Sequence, residues 1–339
     1  MKGKTVLYVH GFGSSGQSGT VTRLRTVMPN ARVIAPDLSV HPVEAMALLH
    51  ELCEKEKPNL ILGTSMGGMY TEQLYGFDRI CMNPALCIAD TMQQHGMTGT
   101  QTFQNPRQDG VQQFYVDKAL VKEYRQASEH RFSGLAGLSG EALDAERGRI
   151  VGLFGDRDDL VDTFDMFCEH YPLATHFHGE HRMDDRSFMH GVLPVIRWID
   201  DRQEKRERPI IYIGIETLKD AYEKPASSSQ KAVRMLIEDY QVYFVADESE
   251  ASGQTAKAVI DQTNKRTNDE TTRQWLEEYI SVPAWRHTIY TPRRDLLYGD
   301  YLISRKKEGD TMATLLHFGS DTFKTWEDII EYFSRLGGQ

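Results

Sequence analysis

Gly63, Ser65 and Gly67 form a G-x-S-x-G string, preceded by the apolar run Asn59 to Leu62 and followed by the helix-like Gly68 to Tyr75. A serine at a sharp strand-to-helix turn is exposed at the rim of a sheet, and glycine flanks give the cramped backbone room, as in a nucleophile elbow. A hydroxyl is a weak nucleophile until a base takes its proton, so the chemistry requires a histidine, itself oriented by a carboxylate. The chain offers both, in the order serine, acid, histidine. The run Arg149 to Phe154 opens into Gly155-Asp-Arg-Asp-Asp-Leu-Val161, where Asp158 is the favoured acid and Asp156 the alternative. Asp158 lies three residues past the turn glycine and three before Val161, which starts the next packing element. The run Ala174 to Phe177 leads into His178-Gly-Glu-His-Arg182; His181 is the expected base, with His178 and His190 as rivals.

Acyl transfer also needs donors for a developing oxyanion, commonly the N–H after the nucleophile and one from an earlier strand-end loop. Met66 provides the first, and Phe12 in His10-Gly-Phe-Gly13 the second. His10 itself reads as a loop-packing residue. The same loop fits a rival pattern: Gly11-Phe-Gly-Ser-Ser-Gly16 matches the dinucleotide fingerprint G-x-G-x-x-G, with Asp37 some way beyond it. That reading leaves Gly63 to Gly67, Asp158 and His181 unused, whereas the oxyanion reading employs all of them.

These residues need a scaffold that brings strand ends together. Runs at Thr5 to Val9, Arg32 to Ala35, Asn59 to Leu62, Asp78 to Met82, Arg149 to Phe154 and Ala174 to Phe177 read as strands, with amphipathic stretches such as Pro42 to Lys55 between most of them. That alternation predicts an α/β fold with a mostly parallel sheet covered by helices. Residues 89–147 interrupt the rhythm, being rich in Gln, Gly and charge with no clear strand, and are expected to form a lid or cap-like insertion. The charge run Asp200 to Arg208 is the expected linker. Beyond it the pattern restarts: strands at Ile210 to Ile215, Gln241 to Ala246, Arg286 to Tyr290 and Met312 to Phe318, and helices over Ser227 to Asp239, Thr272 to Tyr279 and from Lys324. The expected domains are therefore 1–205 and 206–339.

At 339 residues the chain is longer than a single core usually sustains, which agrees with two domains. Hydrophobic residues make up 40% and charged residues 26%, a globular balance, and no apolar run reaches the roughly 18 residues of a membrane span. With 39 basic against 49 acidic side chains the net charge is -10, which disfavours nucleic acid as a general partner and favours a small-molecule substrate. The start of the chain shows no export signal, so a cytoplasmic location is expected. Cys53, Cys81, Cys87 and Cys168 are scattered without a C-x-x-C and are expected to be buried reduced thiols.

Taken in order, LYVHGFGSS, GTSMGG, ICMNPAL, GDRDD and GEHR resemble the small bacterial α/β-hydrolases of the YqiA/YcfP-like esterase family, over residues 1–200. The resemblance implies a compact α/β-hydrolase-type sheet that starts at the third strand of the full fold and acts on carboxylic esters or acyl thioesters. It also implies Ser65, Asp158 and His181 as triad, Phe12 and Met66 as oxyanion donors, and no cofactor or metal. The long middle segment departs from that pattern. The second half resembles a haloacid-dehalogenase-like (HAD-like), Rossmann-like domain of the 5'-nucleotidase sort through IYIGIETLKDAYEKP and TPRRDLLYGDYLIS. Active members carry an aspartate nucleophile, a second aspartate two residues on, a lysine and further carboxylates for Mg²⁺. The matching positions here are Gly214, Glu216, Arg294, and Ser304 with Arg305, leaving Asp300 nearly alone, so a degenerate domain is expected. The reading is a serine esterase or thioesterase fused to an inactive domain. The alternatives are a catalytically silent binding or scaffold protein, and a nucleotide phosphatase working through the second half.

Overall fold

A computed structural model describes residues 1–222, 227–246, 272, 275–280, 286–306 and 311–336. The chain divides into two compact units, Met1–Asp200 and Asp201–Gln339.

The first unit is built on six parallel strands: β1 (Thr5–Val9), β2 (Arg32–Ile34), β3 (Leu60–Thr64), β4 (Arg79–Met82), β7 (Ile150–Gly155) and β8 (Ala174–Phe177). Between β4 and β7 the chain forms two further short strands, β5 (Gly99–Thr102) and β6 (Gln113–Val116), outside this sheet. The sheet order is β2-β1-β3-β4-β7-β8. Its strands are nearly continuous apolar runs, with β3, β4 and β7 buried almost throughout, as expected where both faces are covered. After β1 the chain steps one way, to β2, and then crosses to β3 on the other side of β1. The carboxyl ends of β1 and β3 therefore flank a topological switch point, where open α/β sheets form their binding crevices. This all-parallel sheet with helical crossovers is the α/β-hydrolase-type architecture anticipated from the motifs.

Helices cover the sheet because their apolar positions repeat at helical spacing. α1 (Gly19–Val27) joins β1 to β2. In α2 (Pro42–Glu56), Ala45, Leu49 and Cys53 recur every four residues on the buried face, Pro42 opens the first turn and Lys57 closes the helix in a left-handed conformation. α3 (Met66–Glu72), which begins directly after Ser65, is buried on every side, Glu72 included. Arg79, fully buried at the start of β4, donates to the carbonyl of Glu72 and to the carboxylate of Glu146, fastening the end of α3 to the sheet. Burial pushes the Glu72 carboxyl up, opposed by hydrogen bonds from Tyr171 and the Phe132 N–H and by the nearby Arg79 charge.

The insertion at 89–147 is more ordered than its composition suggests. α4 (Ile88–Gln94) leads into the antiparallel pair β5 and β6, then come α5 (Lys118–Glu129) and α6 (Gly140–Arg147). The expectation of no strand there is corrected. Gly99-Thr-Gln-Thr lacks an apolar face of its own, and the pair is held by its ladder and by what it docks on. The Gln104 N–H donates to Gly13 O at 2.7 Å, the Asn105 amide to Ser14 Oγ at 3.1 Å, Ser15 Oγ to Pro106 O at 2.6 Å, and Arg107 Nη1 to Leu38 O at 3.0 Å. The hairpin thus rests on the turn that follows β1. Asp117 caps α5 by accepting from the Leu120 N–H at 2.8 Å, and Leu120, Val121, Tyr124 and Ser128 form the buried stripe of that helix.

α7 (Phe164–Cys168) lies between β7 and β8; after β8, α8 (Asp185–Ser187) and α9 (Leu193–Glu204) are joined by a wider π-type turn at Phe188–Val192. Cys53 and Cys81 are buried thiols, Cys87 is half-buried, and Cys168 is exposed, which corrects the expectation that all four would be buried. Cys168 ends a helix of five residues in which Phe167 alone is buried, so its neighbours do not enclose it. Among the described residues no helix is long and apolar enough to cross a membrane.

Among its described residues the second unit contains five parallel strands, β9 (Ile210–Gly214), β10 (Gln241–Ala246), β11 (Thr288–Tyr290), β12 (Tyr301–Ser304) and β13 (Thr314–His317), in the order β11-β10-β9-β12-β13. α10 (Ser228–Asp239) and α11 (Trp326–Leu336) pack Ala232, Val233, Leu236, Ile329 and Phe333 into its core. β12, not anticipated as a strand, lies directly beside the central β9. It has four residues and a charged segment follows it, so its strand character comes from the two neighbours that pair with it. Of the helix expected at Thr272 to Tyr279, residues 273–274 lie outside the described set, and Leu276–Ile280 form a π-type turn.

Candidate active site

The carboxyl ends of four neighbouring strands meet at one rim. Gly63 in β3 is level with Cys81 in β4, Cys81 with Gly152 in β7, and Gly152 with Ala174 in β8. Two residues further along each strand stand Ser65, Asn83, Phe154 and His176. Ser65 is therefore at the rim itself, whereas Asp158 and His181 are four and five residues beyond it and must fold back to reach the serine.

They do. His181 Nε2 lies 3.0 Å from Ser65 Oγ, and His181 Nδ1 lies 2.7 Å from Asp158 Oδ2. A carboxylate accepts only, so Nδ1–H donates to Asp158 and Nε2 is left to accept from the serine hydroxyl. The second oxygen of Asp158 accepts from the N–H groups of Leu160 at 2.9 Å and Val161 at 3.0 Å, which locks the carboxylate in the turn. The imidazole is largely enclosed, with 13% of its side chain exposed, and Asp158 is more so at 5%.

The serine is held in a conformation that L-residues seldom adopt, φ 56 and ψ -119. Such a conformation costs about 1–3 kcal/mol and persists where the surroundings over-determine it. Here the Ser65 N–H donates to Met82 O at 2.9 Å, and its carbonyl accepts from Gly68, Met69 and Ala85 N–H at 2.9, 3.1 and 3.0 Å. The flanking glycines are needed for space. A β-carbon at Gly63 would overlap the Gly67 carbonyl and the Thr71 hydroxyl; one at Gly67 would overlap the carbonyl oxygen of Val9.

Phe12 and Met66, the expected amide donors, lie beside Ser65 on two different turns. Met66 is the first residue of α3, where an N–H has no acceptor within its own helix. Phe12 occupies the second position of the turn closed by the Ser14 N–H to Gly11 O bond at 3.1 Å, with Gly13 at φ 66 in the third. In such a turn the N–H of the second residue points away from the closing bond. A β-carbon at Gly11 would touch Ser65 Cβ at 3.3 Å, so this turn lies against the serine. Over it the insertion contributes aromatic rings, Phe114 at 5.2 Å and Tyr124 at 5.9 Å from Phe12, both edge-on.

The rival residues go elsewhere. Asp156 pairs with His178, Oδ2 to Nδ1 at 3.0 Å, and accepts from the Gly179 N–H at 3.0 Å. His190 sits in the Phe188–Val192 turn. Asp37, the acid of the dinucleotide pattern, gives one oxygen to the Gly16 N–H at 2.8 Å and the other to the Gln108 N–H at 2.6 Å, so it ties two loops together. His10 is buried and fastens the β1 loop: Nδ1 donates to Gly11 O at 2.9 Å and Nε2 accepts from the Leu38 N–H at 3.0 Å.

One residue at the rim was quoted in a motif without being given a role. Asn83, 1% exposed and at φ 45, takes the N–H of Gly155 on Oδ1 at 2.7 Å, and its amide donates to the carbonyls of Glu180 at 3.2 Å and His181 at 3.0 Å. An asparagine directly after a strand and before proline, at the level of the serine, is the signal that could have singled it out.

In the second unit Gly214 ends the central strand, and a β-carbon there would collide with the Glu216 carboxylate and come within 2.7 Å of Arg294 Nη1. Arg294, 1% exposed, holds Glu216 through both terminal nitrogens at 2.9 and 3.0 Å, and Ser304 Oγ and the Arg305 N–H donate to Glu216 Oε1, each at 3.1 Å. Glu216 is thus fully engaged. Among the described residues no group of three or more His, Cys, Asp or Glu side chains could hold a metal ion.

Residues 5–150 match the family model described as "Uncharacterised protein family (UPF0227)", the YqiA-like family to which the sequence motifs point. A curated protein of Vibrio phage KVP40, named "Putative 5'(3')-deoxyribonucleotidase", is 31% identical over 65 residues, which are 18% of this chain and 38% of that protein. The chain thus spans about two-fifths of the length of that curated relative. Similar solved structures include Est1E from Butyrivibrio proteoclasticus, at 13% identity and TM-score 0.38, covering 60% of this chain and 88% of that one. The metagenome-derived lipolytic enzymes LipS and LipT give 16% identity and TM-score 0.39, over 58% and 93% of the two chains. Tomato methylketone synthase I gives 12% identity and TM-score 0.38, over 61% and 98%.

The two bonds of His10 set a pH dependence. Burial holds its imidazole below the ordinary histidine range, against the Gly11 carbonyl and Asp37, which act the other way, and with a smaller push from Arg107 in the same direction as burial. The folded state keeps it neutral, so its contribution to stability is complete above about pH 6.5 and is lost as pH falls below that value. Thermal melts at pH 7.5 and 5.5 are expected to show a smaller drop for His10→Gln than for wild type. Equal drops would show that His10 does not carry the effect.

Proposed function

We propose that this protein is a serine hydrolase of carboxylic esters or acyl thioesters, with Ser65 as nucleophile, His181 as general base and acid, and Asp158 as the group that orients the imidazole. The observation that carries the reading is the unbroken chain Ser65 Oγ, His181 Nε2, His181 Nδ1, Asp158 Oδ2, with hydrogen-bond distances of 3.0 and 2.7 Å at its two links. Ser65 Oγ attacks the acyl carbonyl carbon as its proton passes to Nε2, and the negative charge on the carbonyl oxygen falls to the N–H groups of Phe12 and Met66. The imidazolium then gives its proton to the departing alcohol or thiol, leaving an acyl-Ser65 ester. Water, deprotonated by Nε2, attacks that ester and releases the acid, and the proton returns to Ser65. Asp158 carries no proton at any stage; its charge stabilises the imidazolium.

Residues 89–147 act in this reading as a cap, since Phe114 and Tyr124 close over Phe12, whose N–H is one of the two donors. The second unit is a HAD-like domain without catalysis of its own. Gly214 provides no carboxylate to form an aspartyl-phosphate, and the carboxylate of Glu216 is bound to Arg294 through both oxygens. The substrate is a small molecule that the chain meets in the cytoplasm.

A fluorophosphonate probe is expected to label wild-type protein at Ser65, and Ser65→Ala is expected to lower turnover of a short p-nitrophenyl ester by about 10⁴–10⁶-fold; undiminished turnover in the variant refutes the assignment. Phe114→Ala should raise KM for that ester while Ser65 labelling is retained, and an unchanged KM across acyl lengths would remove the cap from the proposal. For the second unit, phosphate release from deoxynucleoside monophosphates in Mg²⁺ is expected to be nil, measured by a molybdate assay. Sustained, Mg²⁺-dependent release would overturn the inactive reading.

A further inference from the structure

Within that serine-hydrolase reading, we infer that Asn83 is a positioning residue: its side-chain amide pulls the His181 loop back to the sheet rim so that the imidazole meets Ser65. The need arises from register. His181 follows the end of β8 by four residues and would otherwise project beyond the level of the serine. Asn83 sits at that level, one strand from Ser65, and donates to the carbonyls of Glu180 and His181 itself. The same side chain takes the Gly155 N–H at the start of the loop that carries Asp158.

One amide therefore ties together the loops of the acid and the base. Its orientation is fixed by those partners, because an N–H facing Oδ1 requires the NH₂ group to face the two carbonyls. The backbone of Asn83 adds to the hold: its N–H donates to Leu153 O at 2.7 Å, and two residues on, the Ala85 N–H donates to the carbonyl of Ser65. The segment Met82 to Ala85 thus binds the nucleophile through its backbone and the base through the side chain of Asn83. Asparagine suits the place for two reasons: it tolerates φ 45, and it combines a donor pair with an acceptor in a side chain short enough to stay beneath both loops.

Asn83→Asp separates this role from simple filling of space. Aspartate keeps the volume, the tolerance of positive φ and the acceptor for Gly155, and loses the donation to residues 180 and 181. We expect kcat for the p-nitrophenyl ester to fall by about 10²-fold, with KM changed by less than about threefold. We also expect the melting temperature to account for none of that loss at assay temperature, and a crystal structure to show the imidazole withdrawn from Ser65 Oγ. Asn83→Gly, which removes all three bonds without straining the backbone, should behave alike and serves if the aspartate variant does not fold. An imidazole in its wild-type place in the variant crystal, or a kcat within about twofold of wild type with the imidazole in place, overturns the inference. The two proposals fail separately. Absence of Ser65-dependent turnover in wild type sinks the hydrolase reading, while the crystallographic position of residue 181 still decides the role of Asn83.

Discussion

Ser65 is held at φ 56 against its own preference, and much of the first unit can be understood as what holds it there. Its N–H is taken by β4, and its carbonyl by two N–H groups in the first turn of α3 and by one from the segment after β4. α3 can begin so abruptly because it is pressed against β1 at Gly67, where a glycine leaves room for the Val9 carbonyl. That close approach in turn requires α3 to be buried on all sides, which brings Glu72 into the interior with Arg79 and Tyr171 around it. The buried polar cluster under the helix is thus a consequence of placing one hydroxyl at a sheet rim, since a buried carboxyl without such partners would be costly.

The other half of the site obeys a different constraint. Asp158 and His181 are on loops, and loops have no register of their own, so their positions depend on hydrogen bonds made at their roots. Asp158 is secured by its own turn through Leu160 and Val161. The loop of His181 is tied to β4 through the amide of Asn83. The neighbouring pair of Asp156 and His178 illustrates the selectivity of this arrangement. It has the same residue types in the same loops, and it bonds within itself, with His178 the more exposed partner.

The two units treat a similar architecture in opposite ways. In the first, the strand ends at the switch point present a hydroxyl within hydrogen-bond reach of an imidazole. In the second, the central strand ends in Gly214, and the space beside it is filled by a carboxylate locked to a buried guanidinium. An ion pair of that kind, desolvated and bidentate, is destabilising to break from one side, so it suits a structural role.

The sequence alone determined the elements that rest on local patterning: the apolar runs of β1, β3, β4 and β7, the glycine-flanked serine between a strand and a helix, and the order serine, aspartate, histidine along the rim. Those features are set by side-chain size and hydrophobic period, which a linear reading can see. Its preference for Asp158 and His181 over Asp156 and His178 matches the residues that the fold brings to Ser65, yet the spacing that suggested it would have fitted the rival pair almost as well. What decided between them was tertiary, because hydrogen bonds across 72, 97 and 98 residues from Asn83 determine which histidine returns to the rim. The β5 and β6 hairpin and the strand β12 were hidden for a related reason. Their short, partly polar segments become strands through the partners they pair with and the loops they cover, and those partners are distant in the chain.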